Sequence, residues 1–157
     1  MFKIGISKDI HRLEEGYKLI LGGVTIPFTK GVVAHSDGDI LIHAICEAII
    51  GALGLGDIGK HFPDNDEKYR NISSRYFLTY VNKKLKENNY KISNIDSSII
   101  LEKPILKDYI NQMKLNIASD LEIDPNLVNI KATRGEGLGY IGSGEGLEAI
   151  CVVLIEK

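Results

Sequence analysis

Asp9 and His11 stand two residues apart in a segment whose alternation reads as extended. Residues i and i+2 of a strand face the same way, so one carboxylate and one imidazole are delivered together. Both are zinc-ligand types, with metal–ligand distances of about 2.0–2.2 Å. His43 is a third such residue, on a segment with helical periodicity. Two histidines and one aspartate leave a fourth zinc position open, which is the catalytic arrangement and not the structural one. Asp39 and Glu47 lie one turn before and one turn after His43, on a polar stripe of an otherwise apolar helix. The stripe reads either as a solvated face or as carboxylates that orient the imidazole ring.

Anion chemistry comes next. His35-Ser36-Asp37-Gly38-Asp39 enters the same helix, and a helix N-terminus offers free N–H donors to a phosphate. Gly142-Ser143-Gly144-Glu145-Gly146 reads as a phosphate-cradling loop or as a plain turn. It is not a P-loop, because no Gly-Lys-Ser/Thr follows. Asp64 and Asp66 follow Phe62-Pro63 and either bind hydroxyls or a cation, or cap a solvated turn. His61 reads as a surface residue.

The elements that must position these groups follow from periodicity. Residues 2–7 alternate as a half-buried strand, and 18–27 read as a hairpin around Gly22-Gly23. Residues 28–38 form a loop. Helices are predicted at 39–54, with Asp37 or Asp39 as cap, at 73–88, and at 104–121, with Pro104 in the first turn. Residues 57–72 form a polar loop. Strands are predicted at 91–102, 127–133 and 147–155, with a glycine-rich loop at 135–146. Strands and helices do not alternate strictly, which favours an α+β layer of helices on one face of a mixed sheet.

With 157 residues the chain reads as one domain, 1–157. A net charge of −2 and a pI near 6.1 argue against a general nucleic-acid binder. Cys46 and Cys151 sit in apolar runs and read as buried, reduced thiols. Neither a secretory signal nor an apolar run of membrane-spanning length is present, so a cytoplasmic or organelle-stromal setting is expected.

Taken together, these segments resemble the 2-C-methyl-D-erythritol 2,4-cyclodiphosphate synthase family of the non-mevalonate isoprenoid pathway. The resemblance rests on Asp9-Ile10-His11-Arg12-Leu13, Leu21-Gly22-Gly23-Val24, and Ala34-His35-Ser36-Asp37-Gly38-Asp39 with His43. It continues through Gly56-Asp57-Ile58-Gly59, Phe62-Pro63-Asp64-x-Asp66, Val128-Asn129-Ile130-Lys131-Ala132-Thr133, Glu136 and Gly142-x-Gly144-Glu145-Gly146. Order and spacing match over essentially the whole chain.

The resemblance implies a two-layer sandwich with a four-stranded mixed sheet, and a phosphorus–oxygen lyase that releases CMP. Zn2+ would sit on Asp9, His11 and His43. Mg2+ or Mn2+ would bridge substrate phosphates, with Glu136 helping to hold it. His35 and Ser36 would contact a phosphate, and Asp57, Gly59, Phe62, Asp64 and Asp66 would surround the methylerythritol. The segment from Leu101 to Lys107 would meet the cytosine. Thr133 and Glu136 would come from a neighbouring subunit of a homotrimer, and Tyr140 and Ser143 would lie on the same rim.

Several positions depart from the family pattern. Arg134 replaces a threonine thought to steady the transition state, and Ser143 replaces an arginine, so Arg134 could supply the missing cation. Ile105 stands where a basic residue is common. Ser7 and Lys8 replace a glycine and an aromatic, and Glu47 replaces an aspartate. Three readings follow: the active synthase, a catalytically weakened homologue that binds zinc and cytidine nucleotide, and a metal-dependent phosphohydrolase.

Overall fold

The alternation at residues 2–7 continues through both candidate ligands on the first strand. In the computed structural model, which describes residues 1–157, strand β1 spans Phe2–Glu15. Its polarity is the reverse of an ordinary amphipathic strand. Gly5 and Ser7 face inward and are buried, while Phe2, Ile4, Ile6 and Ile10 face solvent. The cause is helix α1, Ile40–Leu53, which lies directly across the inner face. A Cβ at Gly5 would sit 1.9 Å from the Ala48 carbonyl oxygen. Only small side chains fit under such a close approach, so the larger ones are turned outward.

Strands β2 (Leu19–Leu21) and β3 (Val24–Ile26) form the expected hairpin. Gly22 and Gly23 take φ of 57° and 73°, the left-handed pair that a tight hairpin turn requires. Residues 28–38 are not all loop. Lys30–Val32 forms β4, too short for periodicity to reveal, and it pairs antiparallel with the far end of β1. Downstream come α2 (Ile58–His61), α3 (Arg75–Glu87), β5 (Lys91–Ile100), α4 (Ile110–Leu121), β6 (Val128–Thr133), α5 (Gly139–Gly142) and β7 (Gly146–Glu156).

The sheet order is β4-β1-β7-β5-β6. The sheet is therefore mixed, as expected, but has five strands instead of four. β5 and β6 pair in parallel and need a crossover, which α4 supplies. The other neighbours are antiparallel. Helix α1 packs on β1 and β7, and one contiguous apolar core joins it to the inner sheet face, including Leu147, Ala149, Cys151 and Val153. Cys46 and Cys151 are buried free thiols, and burial pushes the Cys151 thiol up to about 12. No helix is long and apolar enough to cross a membrane.

One predicted helix begins later than expected. Pro104 follows a cis peptide bond in an irregular segment, a short 3-10 turn occupies Lys107–Tyr109, and α4 starts at Ile110. A proline lacks an N–H in a loop as much as in a first helical turn, so the residue alone did not distinguish the two.

The contact at Gly5 sets a direct expectation. Gly5→Ala forces α1 off β1 and should destabilise the protein by roughly 2–3 kcal/mol in urea unfolding. Gly51→Ala is the control: its Cβ meets nothing within 4 Å, and helix propensity should make it neutral or stabilising.

Candidate active site

The inner face of β1 and the facing side of α1 meet in successive steps. Gly5 lies under Ala48, Ser7 donates to Glu47 Oε2 at 2.7 Å, and Asp9 Oδ2 lies 3.9 Å from His43 Nδ1. Asp9 Oδ1 lies 3.3 Å from His11 Nε2. The structure therefore brings Asp9, His11 and His43 together around one carboxylate.

The ring orientations are informative. His11 Nδ1 donates to the Val33 carbonyl at 3.1 Å, because a carbonyl can only accept. Its Nε2 then faces the Asp9 carboxylate, another acceptor. Two acceptors at that distance need a proton or a cation between them. The hydrogen bond that a protonated Nε2 donates to Asp9 accordingly holds His11 above the ordinary histidine value of 6.5, against the opposing effect of burial. His43 is the opposite case. Burial lowers its value, its Nε2 lies 3.3 Å from Ser36 Oγ, and its ring meets Phe77 edge-on. As arranged, no three His, Cys, Asp or Glu side chains form a closed metal cage. The donor set still suits a divalent cation: one carboxylate and two imidazole nitrogens, with His11 locked in the tautomer that frees Nε2.

The polar stripe is neither a solvated face nor a pair that orients the His43 ring, and Asp39 takes the capping role that the sequence offered it. Asp39 is fully buried and caps α1, accepting N–H bonds from Ile42, Gly22 and Gly23. It ties the hairpin to the helix and does not orient His43. Burial pushes Asp39 up to about 7. Glu47 accepts from Ser7 and, at 3.4 Å, from Ile58 N–H. The N-terminus of α1 is consequently occupied by a buried carboxylate and is not an open phosphate site.

A cavity of about 260 Å³ opens over the cluster, lined by Asp9, His11, His35, Ser36, His43 and Asp64. His35 Nε2 donates to the Asp66 carbonyl at 3.0 Å, which fixes the ring at the cavity wall. Phe62 also lines it but is 6% exposed, packed 4.3 Å from Phe77, so it anchors the loop as much as it faces the cavity. Asp57 and Asp66 do not line this cavity. They cap local turns, accepting from Lys60 N–H and Lys68 N–H, and Gly59 is exposed beside Asp57. His61 is not a free surface residue: its ring is hydrogen-bonded to Tyr80 Oη and the Leu55 carbonyl.

Leu101, Lys107, Thr133 and Arg134 line a second cavity of about 510 Å³. Ser143 opens onto a third, beside Lys30 and Lys103. Arg134 and Ser143 thus face different cavities, on either side of the Leu101–Glu102 segment that lines both. Glu136 is exposed with φ of 54°, and Tyr140 Oη donates to Glu148. None of the 133–143 group lines the first cavity. Sequence reasoning missed Ser7 as a partner of Glu47, and it missed Glu102, which accepts Gly135 N–H at 2.8 Å. No local pattern signals either pairing.

Similar proteins match this chain over almost its whole length. The model of the YgbB family matches residues 2–156. The chain belongs to the YgbB family. It is 55% identical over 157 residues to a 2-C-methyl-D-erythritol 2,4-cyclodiphosphate synthase of Fusobacterium nucleatum, covering 100% of this chain and 98% of that one. Among solved structures, the CDP complex of IspF from Plasmodium falciparum aligns with TM-score 0.86 at 36% identity, over 98% of this chain and 95% of that one. The bifunctional IspDF of Campylobacter jejuni aligns with TM-score 0.94 at 41% identity, over 99% of this chain, which spans 42% of that longer one.

This YgbB-family site makes two pH-dependent predictions. In metal-free protein His11 should titrate above 6.5 and His43 below it, and Asp9→Asn should lower the His11 value; imidazole NMR titration reads this. Asp39, raised from 3.8, contributes stability that is full below pH 3.8 and lost as pH rises through about 7. Urea stability should therefore fall across that window, and Asp39→Asn should flatten the slope.

Proposed function

We propose that this chain converts 4-diphosphocytidyl-2-C-methyl-D-erythritol 2-phosphate to 2-C-methyl-D-erythritol 2,4-cyclodiphosphate and CMP. An oxygen of the 2-phosphate attacks the β-phosphorus, and the bridging oxygen leaves with CMP. The carrying observation is the Asp9–His11–His43 cluster, in a chain 55% identical over its full length to a synthase of that name.

Two anionic phosphates must be brought into line, so positioning and charge neutralisation supply most of the catalysis. Asp9, His11 and His43 would hold Zn2+, which supplies Lewis-acid polarisation of the diphosphate when bound. Glu136 would help hold Mg2+ or Mn2+ against substrate phosphates. His35, with its ring fixed by the Asp66 carbonyl, and Ser36 would orient the 2-phosphate. Asp64 and the loop carrying Asp57, Gly59, Phe62 and Asp66 would receive the methylerythritol hydroxyls. The Leu101–Lys107 cavity would take the cytidine, consistent with the cytidine diphosphate in the Plasmodium falciparum neighbour. Arg134 and Lys107 line that cavity with Thr133 and are the cations that would meet the diphosphate from there, with Tyr140 and Ser143 on the outer rim.

The two halves of this site do not meet within one chain, and the outer face of β1 exposes Phe2, Ile4, Ile6 and Ile10. An apolar strip of that kind needs a partner. Both observations support association of chains with sites shared between subunits, and the family resemblance makes that assembly a homotrimer.

The test is incubation with the cytidyl substrate, Zn2+ and Mg2+, followed by phosphorus NMR. CMP and a cyclic diphosphate are expected, with near-complete loss on chelation or in His43→Ala. Inorganic phosphate as product would instead favour a phosphohydrolase. Retained nucleotide binding without turnover would favour a weakened homologue.

A further inference from the structure

Neither Ser7 nor Glu47 is assigned above to substrate or metal, although Glu47 lines the edge of the first cavity beside His43. Ser7 is 6% exposed and its hydroxyl donates to Glu47 Oε2 at 2.7 Å. The other oxygen, Oε1, accepts from Ile58 N–H at 3.4 Å. One carboxylate therefore joins three pieces of chain: β1, α1 and the start of α2. Each piece carries part of the first cavity. β1 brings Asp9 and His11, α1 brings His43, and the chain after Ile58 leads to Phe62 and Asp64. Glu47 lies one helical turn from His43, and Ser7 is the strand neighbour of Asp9 on the same face.

We infer that Ser7 and Glu47 act as one positioning unit, which sets the separation of Asp9 from His43 and holds the Ile58–Asp64 segment against the cavity. The inference rests on the functional reading above, because it assigns the pair to that cavity. The close packing at Gly5 and Ala48 fixes one end of the α1–β1 contact. The Ser7–Glu47 bond fixes the next step, and the Asp9–His43 gap of 3.9 Å is the step after that. Without the bond, α1 can pivot about its contact at Gly5 and change its distance from β1 at the metal cluster. Supporting contacts of this kind typically alter metal affinity or activity by about 10–100-fold.

The role belongs to hydrogen bonds and not to charge, and glutamine separates the two. In Glu47→Gln the amide oxygen can accept from Ile58 N–H, and the amide N–H can donate to Ser7, whose hydroxyl turns from donor to acceptor. Glu47→Ala and Ser7→Ala break the bridge.

The experiment measures Co2+ affinity, by visible absorption of the bound ion, and the KM and kcat for CMP release, in wild type, Ser7→Ala, Glu47→Ala, the double variant and Glu47→Gln. Ser7→Ala and Glu47→Ala should each weaken Co2+ binding and raise KM, by roughly tenfold. The double variant should be no worse than Glu47→Ala alone, which is the signature of a shared interaction. Glu47→Gln should stay within about threefold of wild type on both measures. Additive losses, an undisturbed Ser7→Ala, or a Glu47→Gln as impaired as Glu47→Ala would overturn the inference. Co2+ affinity does not depend on turnover, so a wild type that releases no CMP contradicts the proposed reaction, while the order of metal affinities still decides the positioning role.

Discussion

Helix α1 meets strand β1 at backbone distance, and the remaining site geometry depends on that contact. At Gly5 there is no room for a Cβ against the Ala48 carbonyl. Once the two elements are locked there, the next inward positions of the strand must carry side chains that pair with the helix. Ser7 meets Glu47, and Asp9 meets His43. The Asp9–His11–His43 cluster is therefore a continuation of a packing contact. The residues proposed to hold the metal sit on a strand and a helix of the core, which hold geometry more tightly than loops do.

The same constraint explains the outer face. A strand that buries glycine and serine inward must put its larger apolar residues somewhere, and on β1 they face out. A lone chain would leave Phe2, Ile4, Ile6 and Ile10 in water. Burying such residues is worth about 1.5–3 kcal/mol each, which is a strong drive to assemble. Packing inside the chain and the proposed association between chains thus trace to one close approach.

How legible this was depended on the range of the interaction. The zinc-type residues were visible because i, i+2 spacing on a strand is a local rule, and the hairpin at Gly22-Gly23 was visible because turn chemistry is local. The alternation of β1 announced a strand but not which face was buried, since that depends on a helix more than thirty residues away. Asp39 illustrates the same limit. Its sequence position marked it equally as cap or ligand-orienter; the local Ile42 N–H bond makes it the cap, and the Gly22 and Gly23 amides take up its remaining acceptor capacity from a distant turn. The short β4 and the late start of α4 had no periodic signal. The split between the two cavities is a tertiary fact that a one-dimensional motif cannot carry.

The central claim is that one catalytic site needs Asp9, His11 and His43 from one chain and the Thr133–Glu136 segment from another. Subunit complementation tests it most directly. His43→Ala and Glu136→Ala chains, each inactive alone, are unfolded together, refolded as a mixture and assayed for CMP release. If sites are shared between neighbours, random mixing should restore about a quarter of wild-type activity, because some sites then draw an intact half from each parent. A mixture as inactive as its parents, in assemblies shown to contain both chains, would contradict the account.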